Sequence, residues 1–247
     1  MAKPSTSATI DFGHAAAQGL MTSLPFNEAA GQPQDRAGSN HGTMLSGASW
    51  STYNGEPCID LAIGSGGVDV GTSDWLPTGS MTIIVGYGKR DSTNRQSGAF
   101  GFIDNSGPFQ PNRAGIHAPW NDGNLYADLP LSARVTATGL TIGAYTTIAM
   151  TAATDGSHKL YVGGTLRGSA SYPGRTAFTG PQRWGLGRHA GFAADLARLL
   201  FVHVYNRELP ASEVSSRHAD PFPMYVEPPS VSVAAAVIAS RRAGGWI

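Results

Sequence analysis

Several things are scarce in this sequence of 247 residues, and each scarcity closes off a class of protein. Cysteine occurs once, as Cys58, so no internal disulfide can form. Secreted sandwiches of this size often carry at least one, and a reducing cytoplasm is the expected place of synthesis. Charge is thin and balanced, with 17 Lys+Arg against 17 Asp+Glu and only 14% charged residues. There is thus no field of one sign to draw in DNA, RNA or an anionic membrane, and neither nucleic acid nor a membrane is expected as a partner. Long apolar runs are missing as well. The longest, residues 231–239, is broken by Ser232 and falls well short of the ~20 residues that span a bilayer. The opening Met1-Ala-Lys-Pro-Ser-Thr-Ser-Ala-Thr has no continuous apolar stretch, so it does not read as a secretory signal. A serine nucleophile of the G-x-S-x-G kind is absent, and Cys58, next to Pro57, has no catalytic signature around it.

Glycine and proline are abundant, at 32 and 16 residues, which suits many short strands joined by tight turns and does not suit a helical bundle. Period-two alternation supports this. In Met81-Thr-Ile-Ile-Val-Gly-Tyr87 one face carries Met81, Ile83, Val85 and Tyr87, as a strand with one buried face requires. Residues 145–152 repeat the pattern, with Ile148 and Met150 on one side. Lys159-Leu-Tyr-Val162, Gly163-Gly164 and Thr165-Leu-Arg167 predict an antiparallel hairpin with a two-residue turn. A second hairpin is expected around Asn121-Asp122-Gly123, between residues 114–117 and 124–128. Residues 198–205 are apolar on both faces, which marks a central strand buried on two sides and makes His203 a hydrogen-bonded core histidine. One helix is expected over residues 209–217, with Pro210 in its first turn, Glu213 near the positive end and Arg217 near the negative end.

Taken in order, these segments resemble the laminin G-like/pentraxin-like group of the concanavalin A-like lectin and glucanase superfamily. The resemblance rests on Leu24-Pro-Phe-Asn-Glu28, Gly31, Asp35, Gly38 and Asn40-His-Gly42 at the front, with Ala37 where a serine is usual. In the middle it rests on Lys159-Leu-Tyr-Val-Gly-Gly164, with Gly163 where an aspartate is common. Its most specific part is Tyr205-Asn-Arg-Glu-Leu209 followed by Glu213-Val214 and Asp220-Pro-Phe222. The implied fold is all-β: a two-sheet antiparallel jelly-roll sandwich with one short C-terminal helix and extended terminal arms. The expected divisions are an arm over residues 1–19, the sandwich over 20–222, and a Pro-rich, apolar arm over 223–247.

The resemblance covers enzymes and binding proteins alike. Glucanase chemistry needs two carboxylates a few ångströms apart, set on alternate residues of one strand. None of Glu28, Glu56, Glu208, Glu213 and Glu227 has an aspartate two residues on, so no enzyme activity is expected. Calcium is the cofactor such domains most often use, and Asp35 and Asn40 are the residues placed to supply oxygens. The competing and favoured reading makes them turn formers bonded to their own backbone, as it does Asp69, Asp74 and Asp155, and then no cofactor is needed. Sugar binding in the superfamily rests on aromatic platforms, for which Trp75, Trp120 and Tyr126 are the candidates, each equally readable as a core or lid residue.

The expected function is that of a structural or accessory bacteriophage virion protein, such as a capsid decoration protein. It would be made in the host cytoplasm and partnered by other virion proteins or by copies of itself. This follows from the similarity of the closing signature to laminin G-like proteins of tailed phages. A glycan-binding adhesion module that recognises host polysaccharide is the alternative. Both arms are expected to clasp neighbours, with Val231 and Val233 extending along a sheet edge and Val237, Ile238, Trp246 and Ile247 as apolar anchors. Folding back over their own sandwich is the other reading.

Overall fold

The alternating segments become strands of two antiparallel sheets packed face to face. The computed structural model describes residues 2–62, 66–72, 75–77, 79–94, 98–102, 115–128, 134–171, 183–187 and 196–229. One sheet has seven strands in the order β11 (Arg134–Ala137), β10 (Leu125–Asp128), β9 (Gly115–His117), β8 (Gly98–Phe102), β15 (Arg183–Leu186), β6 (Val68–Thr72) and β3 (Thr43–Met44). The other has eight. It runs β14 (Thr165–Ser171), β13 (Ser157–Val162), β12 (Tyr145–Ala152), β7 (Met81–Lys89), β16 (Ala197–Tyr205), β5 (Glu56–Leu61) and β4 (Ala48–Tyr53), with β2 (Leu20–Leu24) beside the second half of β16. This is the expected jelly-roll-like sandwich.

Turn chemistry fixes the register. Val162 pairs with Thr165 across Gly163-Gly164, whose φ angles of 61° and 72° put both in the left-handed region that a tight hairpin turn of this kind demands. Asn54 (φ 51°) and Gly55 (φ 84°) make a second such turn, between Tyr53 of β4 and Glu56 of β5. The hairpin around residues 121–123 also forms, with Tyr126 opposite His117.

Between the sheets lies the main core. Ile83 and Val85 of β7, Ile148 and Met150 of β12 and Leu199, Val202 and Val204 of β16 meet Phe100, Ile116, Leu125, Trp184 and Leu186 of the seven-stranded sheet. Phe100 stacks on Trp184 at 5.9 Å. The expectation of a strand with one buried face does not hold for β7, where Thr82 and Ile84, on the opposite face, are also fully buried.

The reason is a second apolar cluster on the outer face of the eight-stranded sheet. Cys58, Ile84, Ala149, Tyr161, Leu200, Phe201 and Tyr205 pack there against Ala16, Ala17, Leu209, Val214, Phe222 and Met224. The cover is built from α1 (Ala211–Ala219), the segment after it, and the N-terminal residues. Residues 2–19, set apart by sequence as an arm that reaches a neighbour, thus pack on the sandwich of their own chain. β1 (Thr9–Ile10) pairs with β17 (Tyr225–Val226), and Lys3 Nζ donates to the carbonyls of Phe26 (2.9 Å) and Pro57 (2.5 Å). The physical reason is that an apolar outer face cannot be left in water, and the N-terminal segment is the chain's own means of covering part of it. The helix begins two residues later than expected: Pro210 is its N-cap, and the arms' candidate anchors Val231, Val233, Val237, Ile238, Trp246 and Ile247 lie outside the described residues.

His203 is a core histidine, 0% exposed. Its Nε2–H donates to Pro221 O (3.1 Å), so Nδ1 accepts from the Ser23 hydroxyl (2.9 Å), which accepts in turn from Tyr225 (2.7 Å). Burial, helped by the nearby charge of Arg217, lowers its pKa from 6.5 to about 3.

Two predictions follow from this packing. The His203 pKa lies below its unfolded value, so the unfolded chain takes up the proton first and stability falls as the pH drops from 6.5 toward 3. The contribution is about 1.4 kcal/mol for each pH unit over that window. Urea denaturation of the wild type and a His203→Gln variant at pH 7 and pH 4.5 should converge at the lower pH; an unchanged gap would contradict the assignment. Deleting residues 2–12 should lower the melting temperature, by about 2–4 °C for each kcal/mol lost, and should make the buried Cys58 react with a thiol reagent under native conditions. A thiol that stays inert would show that the segment is not its cover.

Candidate functional site: a depression at the edge of the seven-stranded sheet

The loop at residues 35–42 is organised by one carboxylate. Buried Asp35 accepts the backbone N–H groups of Ser23 (2.8 Å) and Ala37 (3.0 Å) on Oδ1 and that of Asn40 (3.0 Å) on Oδ2. Its own N–H donates to His41 Nδ1 (3.0 Å), which leaves the proton of a neutral His41 on Nε2. Asn40 Nδ2 donates to Thr22 Oγ1 (2.9 Å). Gly38 is required here, since a Cβ would stand 2.8 Å from Met21 O and 3.0 Å from Asp35 Oδ2.

Beside this loop the edge strand β3 is only two residues long and pairs with Val68 and Asp69, so β6 runs on past it through Val70, Gly71 and Thr72. Asp69 bends that stretch. Its Oδ1 accepts from Gly71 N (2.9 Å), Gly71 sits at φ 93°, and its Oδ2 pairs with Arg183. The result is an open depression of about 410 Å³ with Ser39, Asn40 and His41 on one wall and Val70, Gly71, Thr72 and Trp75 on the other. Trp75 meets Phe100 edge-on at 6.3 Å, and its Nε1–H is buried with no partner among the described residues.

The depression adjoins the outer face of the seven-stranded sheet, which is polar. Strand alternation turns Asp69, Gly185, Gly115, His117, Tyr126, Asp128 and Arg134 away from the core. One registered row runs from Arg134 to Asp128 to Gly115, whose Cβ would stand 3.5 Å from the Gly101 Cα, and on through Gly185 to Asp69 and Thr43. Its middle is floored by glycine, and each end carries an aspartate neutralised by arginine. Asp128 holds Arg134 through two bonds of 2.7 and 2.8 Å and accepts from His117 Nε2 (3.0 Å). Four inter-strand steps of about 4.8 Å put the backbone positions of the two aspartates about 19 Å apart.

The structure brings Trp75 and Asn40 together, and sequence reasoning did not foresee Ser39, His41 and Thr72 beside them. The nearness of the Asn40-His41-Gly42 loop to β6 depends on a long-range strand pairing that no local pattern reveals. Trp120 and Tyr126 do not line the depression. Tyr126 is 9% exposed, lies under the Arg134 guanidinium at 4.4 Å and donates to Asp122, and Trp120 packs edge-on against His117 at 4.7 Å. Asp35 and Asn40 serve the loop itself: the Asp35 oxygens accept three backbone N–H groups and Asn40 Nδ2 donates to Thr22 Oγ1, and no group of three or more His, Cys, Asp or Glu able to hold a metal forms among the described residues. Asp69 and Asp155 are likewise turn formers, Asp155 accepting from Ser157 N (2.8 Å), while Asp74 lies outside the described residues.

Solved structures share this architecture. Trypanosoma rangeli sialidase in complex with sialic acid aligns with 83% of the chain at TM-score 0.66 and 13% identity, and the alignment spans only 33% of the sialidase. Domain 4 of AbnA, a GH43 extracellular arabinanase from Geobacillus stearothermophilus, in complex with arabinotriose, aligns over 85% of this chain and 98% of that domain, at TM-score 0.63 and 16% identity. The binding domain of Paraclostridial Mosquitocidal Protein 1 aligns over 83% of this chain and 53% of that one, at TM-score 0.63 and 16% identity. At such identities the likeness is one of fold. No match is found among curated proteins. The laminin G-type family profile described as the concanavalin A-like lectin/glucanases superfamily matches residues 63–215, more than half of the sequence, and the chain belongs to that family.

Proposed function

We propose that the chain is a non-catalytic glycan-recognition module and that it serves as an accessory protein of a bacteriophage particle. The observation that carries the glycan reading is the depression at the β6 edge, where the ring of Trp75 stands across from Ser39, Asn40 and His41. An aromatic face takes the C–H side of a sugar, and short polar side chains take its hydroxyls.

Absence of catalysis is supported by the carboxylates. Glycosidases hold theirs about 5–9.5 Å apart. Here the backbone positions of Asp69 and Asp128 are about 19 Å apart by strand count. Glu28 is paired with Arg36, Glu208 with Lys159 and Glu213 with Arg207, at separate places. The relative that holds arabinotriose has this fold as a separate domain of a larger enzyme, which fits a binding role for the fold on its own. The particle reading rests on the closing signature from Tyr205 to Phe222 and its similarity to phage laminin G-like proteins.

A glycan array probed with the full chain should give selective binding. Trp75→Ala should weaken it at least tenfold, since one buried aromatic face contributes about 1.5–3 kcal/mol and 1.4 kcal/mol is a factor of ten. Selective binding that Trp75→Ala leaves untouched would remove the site, and an array without signal would remove the glycan reading. Co-sedimentation with purified virions tests the particle reading separately.

A further inference from the structure

Ala144 and Tyr145 line two adjoining pockets that the depression at the β6 edge does not use. The first, about 320 Å³, has Tyr53 and Tyr145 as aromatic walls with Leu200, and carries the polar groups of Asn54 and Glu56. The second, about 200 Å³, is lined by Thr141, Thr146, Thr165 and Arg167. Both are held in shape by turn geometry. The Asn54-Gly55 turn presents Tyr53, Asn54 and Glu56 together, and the Tyr53 hydroxyl donates to Gly143 O at 3.3 Å, tying that turn to the loop before β12. The Gly163-Gly164 turn sets Thr165 and Arg167 beside the same loop.

The two halves differ in chemistry. Two phenol rings and a leucine offer apolar surface of the width of a sugar ring, while a carboxylate and a carboxamide can accept and donate at its hydroxyls. In the second half Arg167 is exposed and makes no ion pair among the described residues, unlike Arg134, Arg183, Arg198 and Arg207, each of which holds a carboxylate. A planar guanidinium among threonine hydroxyls is a receptor for a carboxylate. A cationic ligand would meet that charge, and a purely apolar one would leave the polar groups of both halves unpaired.

We propose that these pockets form a second carbohydrate site, for an acidic oligosaccharide. A neutral ring lies against Tyr53 and Tyr145 with its hydroxyls on Glu56 and Asn54, and the carboxylate of the adjoining sugar is held by Arg167. The inference extends the glycan reading above and names an acidic ligand for a different place on the molecule.

Calorimetric titration of the full chain with digalacturonate, a hyaluronan tetrasaccharide and 3′-sialyllactose, with lactose as the neutral counterpart, tests it. At least one acidic probe should bind ten times or more tighter than lactose. Arg167→Met, at an exposed position on the edge strand β14, should bring that affinity down to the lactose level, and Arg167→Lys should fall between. Tyr145→Ala should abolish this acid-selective binding. Binding of no acidic probe overturns the proposal. Acidic binding that survives Arg167→Met but is lost in Trp75→Ala also overturns it, while leaving the site at the β6 edge as the one that binds sugar.

Discussion

The eight-stranded sheet buries side chains on both of its faces, and that requires two covers. One is the seven-stranded sheet, which closes the main core over Ile83, Val85, Met150 and Val202. The other is assembled from pieces: the N-terminal segment, α1 and the residues from Phe222 to Val226. Burying an apolar side chain contributes about 1.5–3 kcal/mol, so a face that presents Ile84, Leu200, Phe201 and Tyr205 cannot stay open. The N-terminal segment is held down by polar ties spread along its length. Lys3 reaches two carbonyls, Asn27 Nδ2 donates to Pro4 O (2.8 Å) and Ser5 O (3.0 Å), and Glu227 accepts from Ser5 N (2.7 Å). Burial lowers the Lys3 pKa from 10.5 to about 7, a measure of how far the ammonium has been drawn from water.

The outer face of the seven-stranded sheet is the chemical opposite. Its charges are neutralised within the chain, Asp69 by Arg183 and Asp128 by Arg134, and between them the strands carry glycine. The two sheets thus divide the labour. The apolar outer face is spent on the chain's own segments, and the polar one abuts the depression with Trp75, where the two-residue β3 leaves β6 uncovered.

Most of the strands were legible because their signals are local. Alternation over residues 81–87, the Gly163-Gly164 pair and the doubly apolar run at 198–205 each state a conformation within a few residues, and the structure has all of them. Asn54-Gly55 is as strong a hairpin signal as any of these, and reading it would have placed β4 and β5. What could not be read was long-range. Residues 2–19 carry no pattern that distinguishes packing on one's own sandwich from packing on a neighbour's, since both bury the same Ala16 and Ala17. The site residues are dispersed in the same way: Asn40 and Trp75 meet only because β3 pairs with β6. Trp120 and Tyr126 have the composition of a platform, yet Trp120 packs edge-on with His117 and Arg134 lies over the Tyr126 ring.

Ser23 shows how the two halves of the molecule are joined. Its hydroxyl bonded to a histidine has the look of a nucleophile with its base, but both residues are fully buried, and His203 faces a backbone carbonyl on its other nitrogen. A pair without access to solvent or substrate serves as a tie. Through its hydroxyl Ser23 binds His203 of β16 and Tyr225 of β17, and through its N–H it binds Asp35, the carboxylate that shapes the loop bearing Asn40 and His41. The N-terminal segment, paired with β17, is therefore connected to the wall of the depression by the bonds from Tyr225 to Ser23, from Ser23 N to Asp35 and from Asn40 N to Asp35. Each bond is worth about 0.5–1.5 kcal/mol while made, and more when one partner is left buried and alone. Lifting the cover from the apolar face would strain the same network that holds the loop in place, so the packing that protects one sheet also sets the shape of the site on the other.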